Sequence, residues 1–302
     1  MKKYQFYIII GLGLFMRLIW TDDMEWKRDE KQLYSMAHEV VDKRSFPLVG
    51  MESGGGIVNP GMSVFMFSVI AAFTTDPLAM AKLVQIVNVI SILFFLLFIY
   101  KKIDPGEKDT WFKGIVIASV SPLAILFSRK IWAQDLLPLF SFLIIFSNSY
   151  RNKGWGAFFW GFFGAMIGQV HMSGFFMALG LLLFTLVHDY FNKINFRWSY
   201  WLAGSLMGSI PMVPWIYLIL HGSQTSPISI RHILQFNFYI FWFLDSLGLY
   251  IYYSLHNEFW LFIKEPFIFG KPTYLIAIAH LFLLASGILL LIRIIKYIAK
   301  IW

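Results

Sequence analysis

The chain has 302 residues, of which 58% are hydrophobic, 19% aromatic and 14% charged, against about 25% charged residues in an ordinary soluble domain. So little charge cannot cover a water-exposed globule, and at roughly 20 apolar residues per crossing there is room for about eight to ten membrane spans. A cytosolic enzyme, a nucleic-acid-binding module, a separate soluble domain and a disulfide scaffold are therefore excluded; there is no cysteine, and the net charge of +8 reads first as a signal of membrane orientation. The expectation is an all-α, multi-pass membrane protein forming a single transmembrane domain over 1–302.

Lys2 and Lys3 lead into an apolar run ending at Trp20. It lacks a small-residue cleavage site and closes on Arg17, Asp22 and Asp23, which reads as a retained first span rather than a signal peptide. Further spans are expected at 78–100, 114–131, 136–150, 155–170, 175–190, 199–220 and 273–295, with Pro211 and Pro214 kinking the seventh. Two more apolar stretches, 61–75 and 236–255, are read as surface-embedded or re-entrant. Only then do Lys101, Lys102, Lys108, Lys113, Arg151, Lys153, Lys193, Arg197, Arg293, Lys296 and Lys300 join the amino terminus on the cytoplasmic side. Eight spans result, with two long outer segments, 21–77 and 221–272, and short outer turns near 129–135 and 169–174. Gly164 with Gly168, and Gly204 with Gly208, have the spacing that lets membrane helices approach closely.

The densest polar cluster follows the first span, at 21–44, where Asp22, Asp23, Glu25, Asp29 and Glu30 fall within nine residues. Leu33, Met36, Ala37, Val40 and Val41 then repeat with helical period, so this segment is expected to be an amphipathic helix resting on the membrane surface. Asp29 stands at the edge of the apolar stripe, where a carboxylate reaches a lipid headgroup from the water side. The same acids equally suit the first turn of a helix, as caps and dipole partners. Next, Gly54 to Gly56 form a flexible turn and Asn59-Pro60-Gly61 breaks the chain. No strand and no GxGxxG spacing accompany these glycines, so they do not form a nucleotide loop.

In the second outer turn, Arg129, Lys130 and Asp135 suit phosphate binding or metal coordination, or simple snorkelling beside an interfacial Trp132. The third turn places Gln169, His171 and Ser173 at the same level, where a lone histidine is equally a packing residue. Arg231 lies in the second long outer segment.

Taken in order, the DE pair with a tyrosine following (Asp29, Glu30, Tyr34), FPLVG at 46–50, NPG at 59–61, DPLAMAKLVQIVNVI at 76–90, SPLAILFSRKIWAQDLLPLF at 121–140 and GQVHMSG at 168–174 resemble the GT-C class of integral-membrane glycosyltransferases. The likeness is to the bacterial members related to protein O-mannosyltransferases and the lipid A aminoarabinose transferase, and it covers about residues 4–190. Many relatives carry His-Pro-Pro where this chain has Asn59-Pro60-Gly61, and many are longer.

The resemblance implies a GT-C-like fold, and transfer of a sugar from a polyprenyl-phosphate donor to a lipid, glycan or protein acceptor on the outer face of the inner membrane, with inversion. It implies Asp29 as general base, with Glu30 beside it and Asp135 supporting substrate or a divalent cation, Mg or Mn, shared with Asp29. Arg129 and Lys130, then Arg28, Lys31 and Arg231, are the cations for the departing phosphate, and Tyr34 and His171 complete the substrate-binding set. A partner subunit is expected to supply any missing acceptor surface, and no nucleic acid takes part. The rival readings are a polytopic transporter or lipid flippase using intramembrane charges and broken helices, and an acyltransferase with His171 as catalyst.

Overall fold

The computed structural model describes residues 3–19, 21–52 and 58–221, with eight further positions between 282 and 296, all helical. Gly54 to Gly56, the stretch 236–255, Arg231 and most of the expected span 273–295 lie outside the described residues. In chain order the elements are α1 (Lys3–Leu18), α2 (Arg28–Lys43), β1 (Val49–Glu52), β2 (Val58–Pro60), α3 (Met62–Ala71), α4 (Pro77–Lys102), α5 (Lys108–Val120), α6 (Pro122–Phe127), α7 (Leu137–Asn148), α8 (Gly154–Val170), α9 (Ser173–Asn192), α10 (Trp198–Ser209) and α11 (Val213–His221). Short 3-10 turns occur at Thr21–Asp23, Ala133–Leu136 and Ile210–Met212. The protein is mostly helical, and the antiparallel pair β1–β2 corrects the expectation of an all-α chain. Among the described residues, three stretches are long and apolar enough to cross a membrane: Pro77–Lys102, Ser173–Asn192 and Trp198–His221.

The chain divides into two compact units, one comprising Met1–Asp23, Asp109–Ser128 and Ser229–Trp302, the other Met24–Lys108 and Arg129–Ile228. In the first, the expected span 114–131 is broken at Ser121-Pro122. Ser121 caps α6 by accepting from the Ala124 amide at 3.4 Å, and Pro122 has no amide hydrogen to give the Ala118 carbonyl one turn back. Arg17 takes over. Its guanidinium donates to the Ala118 carbonyl at 2.9 Å and to the Ser119 carbonyl. Gly13 permits this approach, because a β-carbon there would fall on the Ser119 carbonyl.

The second unit is centred on α8, which packs against α7, α9 and α10, and its longest helix is α4. Asp76 accepts from the Leu78 and Ala79 amides at 3.1 and 3.2 Å, and Pro77 occupies the first helical position, an arrangement that starts a helix sharply. Its 26 residues extend about 39 Å, beyond the roughly 30 Å of a hydrocarbon core. α7 runs parallel to α4, shown by the ring pairs Phe94–Phe142 and Phe98–Phe146. α8 returns antiparallel, with Tyr150 against Trp155 at one end and Phe140 against Phe163 further along. α10 then lies parallel to α8. The close contact between these two uses Gly204 and Gly208, whose β-carbons would strike the Phe158 and Phe162 carbonyls, and Gly161, whose β-carbon would strike the Trp201 carbonyl. Gly164 lies in van der Waals reach of Ala178 and Gly168 under the Phe175 ring, so the expected Gly164–Gly168 pair meets α9, while Gly161 and Ala165 face α10. The predicted kink near Pro211 is present as the 3-10 turn between α10 and α11.

Across one end of this bundle lie α2, α3 and the hairpin. α3 has ten residues, about 15 Å of helix, and cannot cross a bilayer. α2 has the expected amphipathic period, but Leu33 and Ala37 are fully enclosed in one apolar core with Val64, Phe67, Val84 and Ile167. Its stripe therefore meets α3 and the bundle rather than lipid. Asn59 joins the hairpin strands by donating to the Met51 carbonyl at 2.8 Å, and Trp215 of α11 donates to the Val58 carbonyl at 2.6 Å.

Candidate functional site

The segment joining α6 to α7 crosses beneath the first turn of α2. Ile131, fully buried, pins this segment into the apolar core, and its neighbours carry the charges. The Lys130 ammonium is 2.7 Å from Glu25 Oε2 and 3.5 Å from Glu30 Oε1, and it lies 3.8 Å from the centre of the Trp132 ring. The Lys130 and Glu30 side chains are each 4% exposed. At such depth an isolated charge would carry a heavy desolvation cost, and the paired carboxylates together with the ring face offset it.

Glu30 has a second task. Its Oε2 accepts from the Lys27 amide at 3.0 Å, closing the amino terminus of α2 in the manner of an acid at the third helical position. Glu25 likewise divides its oxygens, with Oε1 2.6 Å from the Lys27 ammonium. The helical first turn is thereby tied to the α6–α7 segment by two carboxylates and one lysine. Successive helical residues are about 100° apart, so burying Glu30 turns its neighbour outward. Asp29 is exposed, as are Arg28 and Lys31. The capping role and the anchoring role thus fall to Glu30, and Asp29 is left facing outward.

Asp135 is 2% exposed, and neither carboxylate oxygen has a hydrogen bond of ordinary geometry among the described residues. Burial pushes its carboxyl well above the usual carboxylate range; Glu30 and Glu25 push the same way, against the pull of the Lys130 ammonium and the Trp132 amide. The Asp135 backbone is held separately, its carbonyl accepting from Asn88 at 2.8 Å. Asn88 belongs to a row on α4 with Gln85 and Ser91, all buried.

Of the remaining expected site residues, Tyr34 is half-buried, donates to the Thr75 carbonyl at 2.5 Å and packs against Trp26 and His38. His171 ends α8, and its Nδ1 lies 2.7 Å from Ser173 Oγ; burial lowers its pKa, so the ring is neutral near pH 7. Its polar contacts are local to the α8–α9 turn. Arg129 and Lys130 are enclosed rather than presented to a ligand. Among the described residues no three His, Asp or Glu side chains converge as metal ligands. The cation facing Glu25 and Glu30 is the Lys130 ammonium, and Asp29 is exposed where Asp135 is buried. These residues do not fit the divalent ion expected between Asp29 and Asp135.

Sequence reasoning counted Glu25 in the acidic cluster without giving it a role, and passed over Asn88. A signal for Asn88 exists in the spacing of Gln85, Asn88 and Ser91 by threes within an apolar helix, which marks one buried polar face. None exists for Glu25, whose partner lies 105 positions away. The chain matches no protein-family model, and neither a curated protein nor a solved structure is significantly similar to it.

Proposed function

We propose that the protein is an integral-membrane glycosyltransferase of GT-C type, with about eight spans. It would move a sugar from a polyprenyl-phosphate donor to an acceptor at the extracytoplasmic face of the inner membrane. The observation that carries this reading is the anchored first turn of α2, with Glu30 locked inward on Lys130 and Asp29 projecting outward between Arg28 and Lys31. In the proposed reaction an acceptor hydroxyl gives its proton to the Asp29 carboxylate as its oxygen bonds to the anomeric carbon. The bond from that carbon to the donor phosphate breaks, the electron pair leaves with the polyprenyl phosphate, and the configuration inverts. Arg28 and Lys31 are the cations placed to meet the charge that develops on the phosphate. Lys130 acts on the reaction only by holding α2.

The purified protein, reconstituted with polyprenyl-phosphate hexoses and pentoses, should transfer label to a membrane-extract acceptor. Asp29→Asn should lower that rate by about 10² to 10⁴-fold, the range of a general base, with little change in thermal stability. Near-normal turnover by Asp29→Asn would overturn the assignment.

A second reading, a proton-coupled transporter or flippase, rests on one observation: the buried Asp135 carboxyl, whose oxygens accept no hydrogen bond of ordinary geometry among the described residues. It requires solute movement into proteoliposomes under a proton gradient, with no consumption of a lipid-linked sugar.

A further inference from the structure

The end of the second unit opposite the acid–lysine cluster has a different composition. The carboxyl end of α4, the α7–α8 turn and the α9–α10 turn meet there. Arg151 forms a two-pronged pair with Asp189, at 2.7 and 2.5 Å. The Arg197 amide donates to the Arg151 carbonyl at 3.3 Å, and the Lys102 ammonium lies 4.8 Å from the Tyr150 ring centre. This framework presents Lys101, Lys102, Lys153, Lys193 and Arg197, all exposed and none in an ion pair with a carboxylate among the described residues. The carboxylates at this end are Asp189, already satisfied by Arg151 and His188, and Asp104 and Glu107 in the loop after α4. Large aromatic side chains stand at the same level and are also exposed: Tyr190 at 80%, Phe191 at 76%, Tyr100 at 67%, Trp198 and Tyr200 at 50% and Trp155 at 44%.

Exposed cations with no carboxylate partner among the described residues, rising from a collar of exposed aromatic rings, are complementary to the boundary of an anionic bilayer. The rings sit at the headgroup level and the ammonium and guanidinium groups reach the phosphates. The cations lie on three separate connections held together by Arg151 and Tyr150, so a single lipid face meets all of them at once. A nucleic acid would need no aromatic collar wrapped around helices that are themselves apolar, and a protein partner would be expected to meet both signs of charge. We propose that this end of the second unit is a docking surface for the headgroups of anionic phospholipids, and that it selects them over zwitterionic ones.

The full chain, placed in nanodiscs of equal phosphatidylglycerol and phosphatidylcholine and released into the gas phase, should retain phosphatidylglycerol over phosphatidylcholine. A preference of at least about fivefold is expected at low salt, the factor that one cation near an anionic surface supplies, and it should shrink as salt is raised. The combined variant Lys101→Gln, Lys102→Gln, Lys153→Gln, Lys193→Gln and Arg197→Gln changes only exposed side chains and should bring the ratio close to one with an unchanged melting temperature. A matched pair at the other end, Lys43→Gln with Arg44→Gln, should leave the ratio intact. Equal retention of the two lipids by the wild type overturns the proposal. So does a loss of preference as large in the Lys43/Arg44 pair as in the combined variant.

Discussion

The two ends of the second unit hold the same kinds of residue under opposite conditions. At one end Lys130 is enclosed with Glu25, Glu30 and Asp135; at the other Lys101, Lys102, Lys153, Lys193 and Arg197 stand open around a single buried pair, Arg151 with Asp189. The enclosed lysine has lost its water and must be matched by partners that offset the cost of desolvation. The open cations keep their water, contribute little singly to stability, and act as a group on whatever meets that surface. Charge enclosed in this way shapes the fold, whereas charge left open selects what the fold touches.

The sharpest way to break this contrast is Lys130→Ala. Glu30 would lose its cation and Glu25 would keep only the exposed Lys27, and removal of one partner from a buried pair costs about 3–5 kcal/mol. Unfolding in detergent should therefore shift strongly, and the first turn of α2 should lose amide-exchange protection ahead of the rest. A shift no larger than that of an exposed lysine, such as Lys43→Ala, would remove the distinction between the two ends. Arg151→Ala tests the counterpart at the basic end. Asp189 is 5% exposed and would keep only His188, a loss of about 1–3 kcal/mol from an unsatisfied buried acceptor. The same variant should loosen the α9–α10 turn, seen as faster exchange near Lys193.

The smallest effect at acid pH is expected from Asp135→Asn, which replaces a protonated carboxyl with an amide of the same shape. The consequence lies in the pH profile. The Asp135 pKa is raised in the folded chain, so the folded state binds this proton more tightly than the unfolded state. Its contribution is complete below the ordinary carboxylate range and is lost as pH rises through the folded value. Wild-type melting temperature should fall across that interval, and Asp135→Asn should be flatter. Parallel profiles would show that Asp135 is ionised in the folded protein across that interval.

Particular elements show how far local pattern reaches. α4 and α9 were legible from apolar length alone, and α2 from its period, because those signals reside in a dozen neighbouring residues. The break before Pro122 was written in the chain as a serine and proline inside an apolar run, and reading through it as one span set too little weight on the missing amide hydrogen. The hairpin was not legible: β1 and β2 have four and three residues, too few for alternation to declare itself. The enclosure of the α2 stripe by α3 was missed for a related reason. An apolar face carries no mark that distinguishes lipid from protein as its cover.

The candidate site divides in the same way. Composition was enough to demand a bilayer-compatible helical protein, and local pattern was enough to place acids and cations in the right segments. It could not decide that Glu30 faces inward and Asp29 outward, that Lys130 belongs to Glu25 from 105 positions away, or that Asp135 is cut off from water. Those outcomes depend on which side chains share a dehydrated volume. Desolvation and Coulomb attraction act through space, and packing α2 over the α6–α7 segment brings those atoms together only in the finished fold.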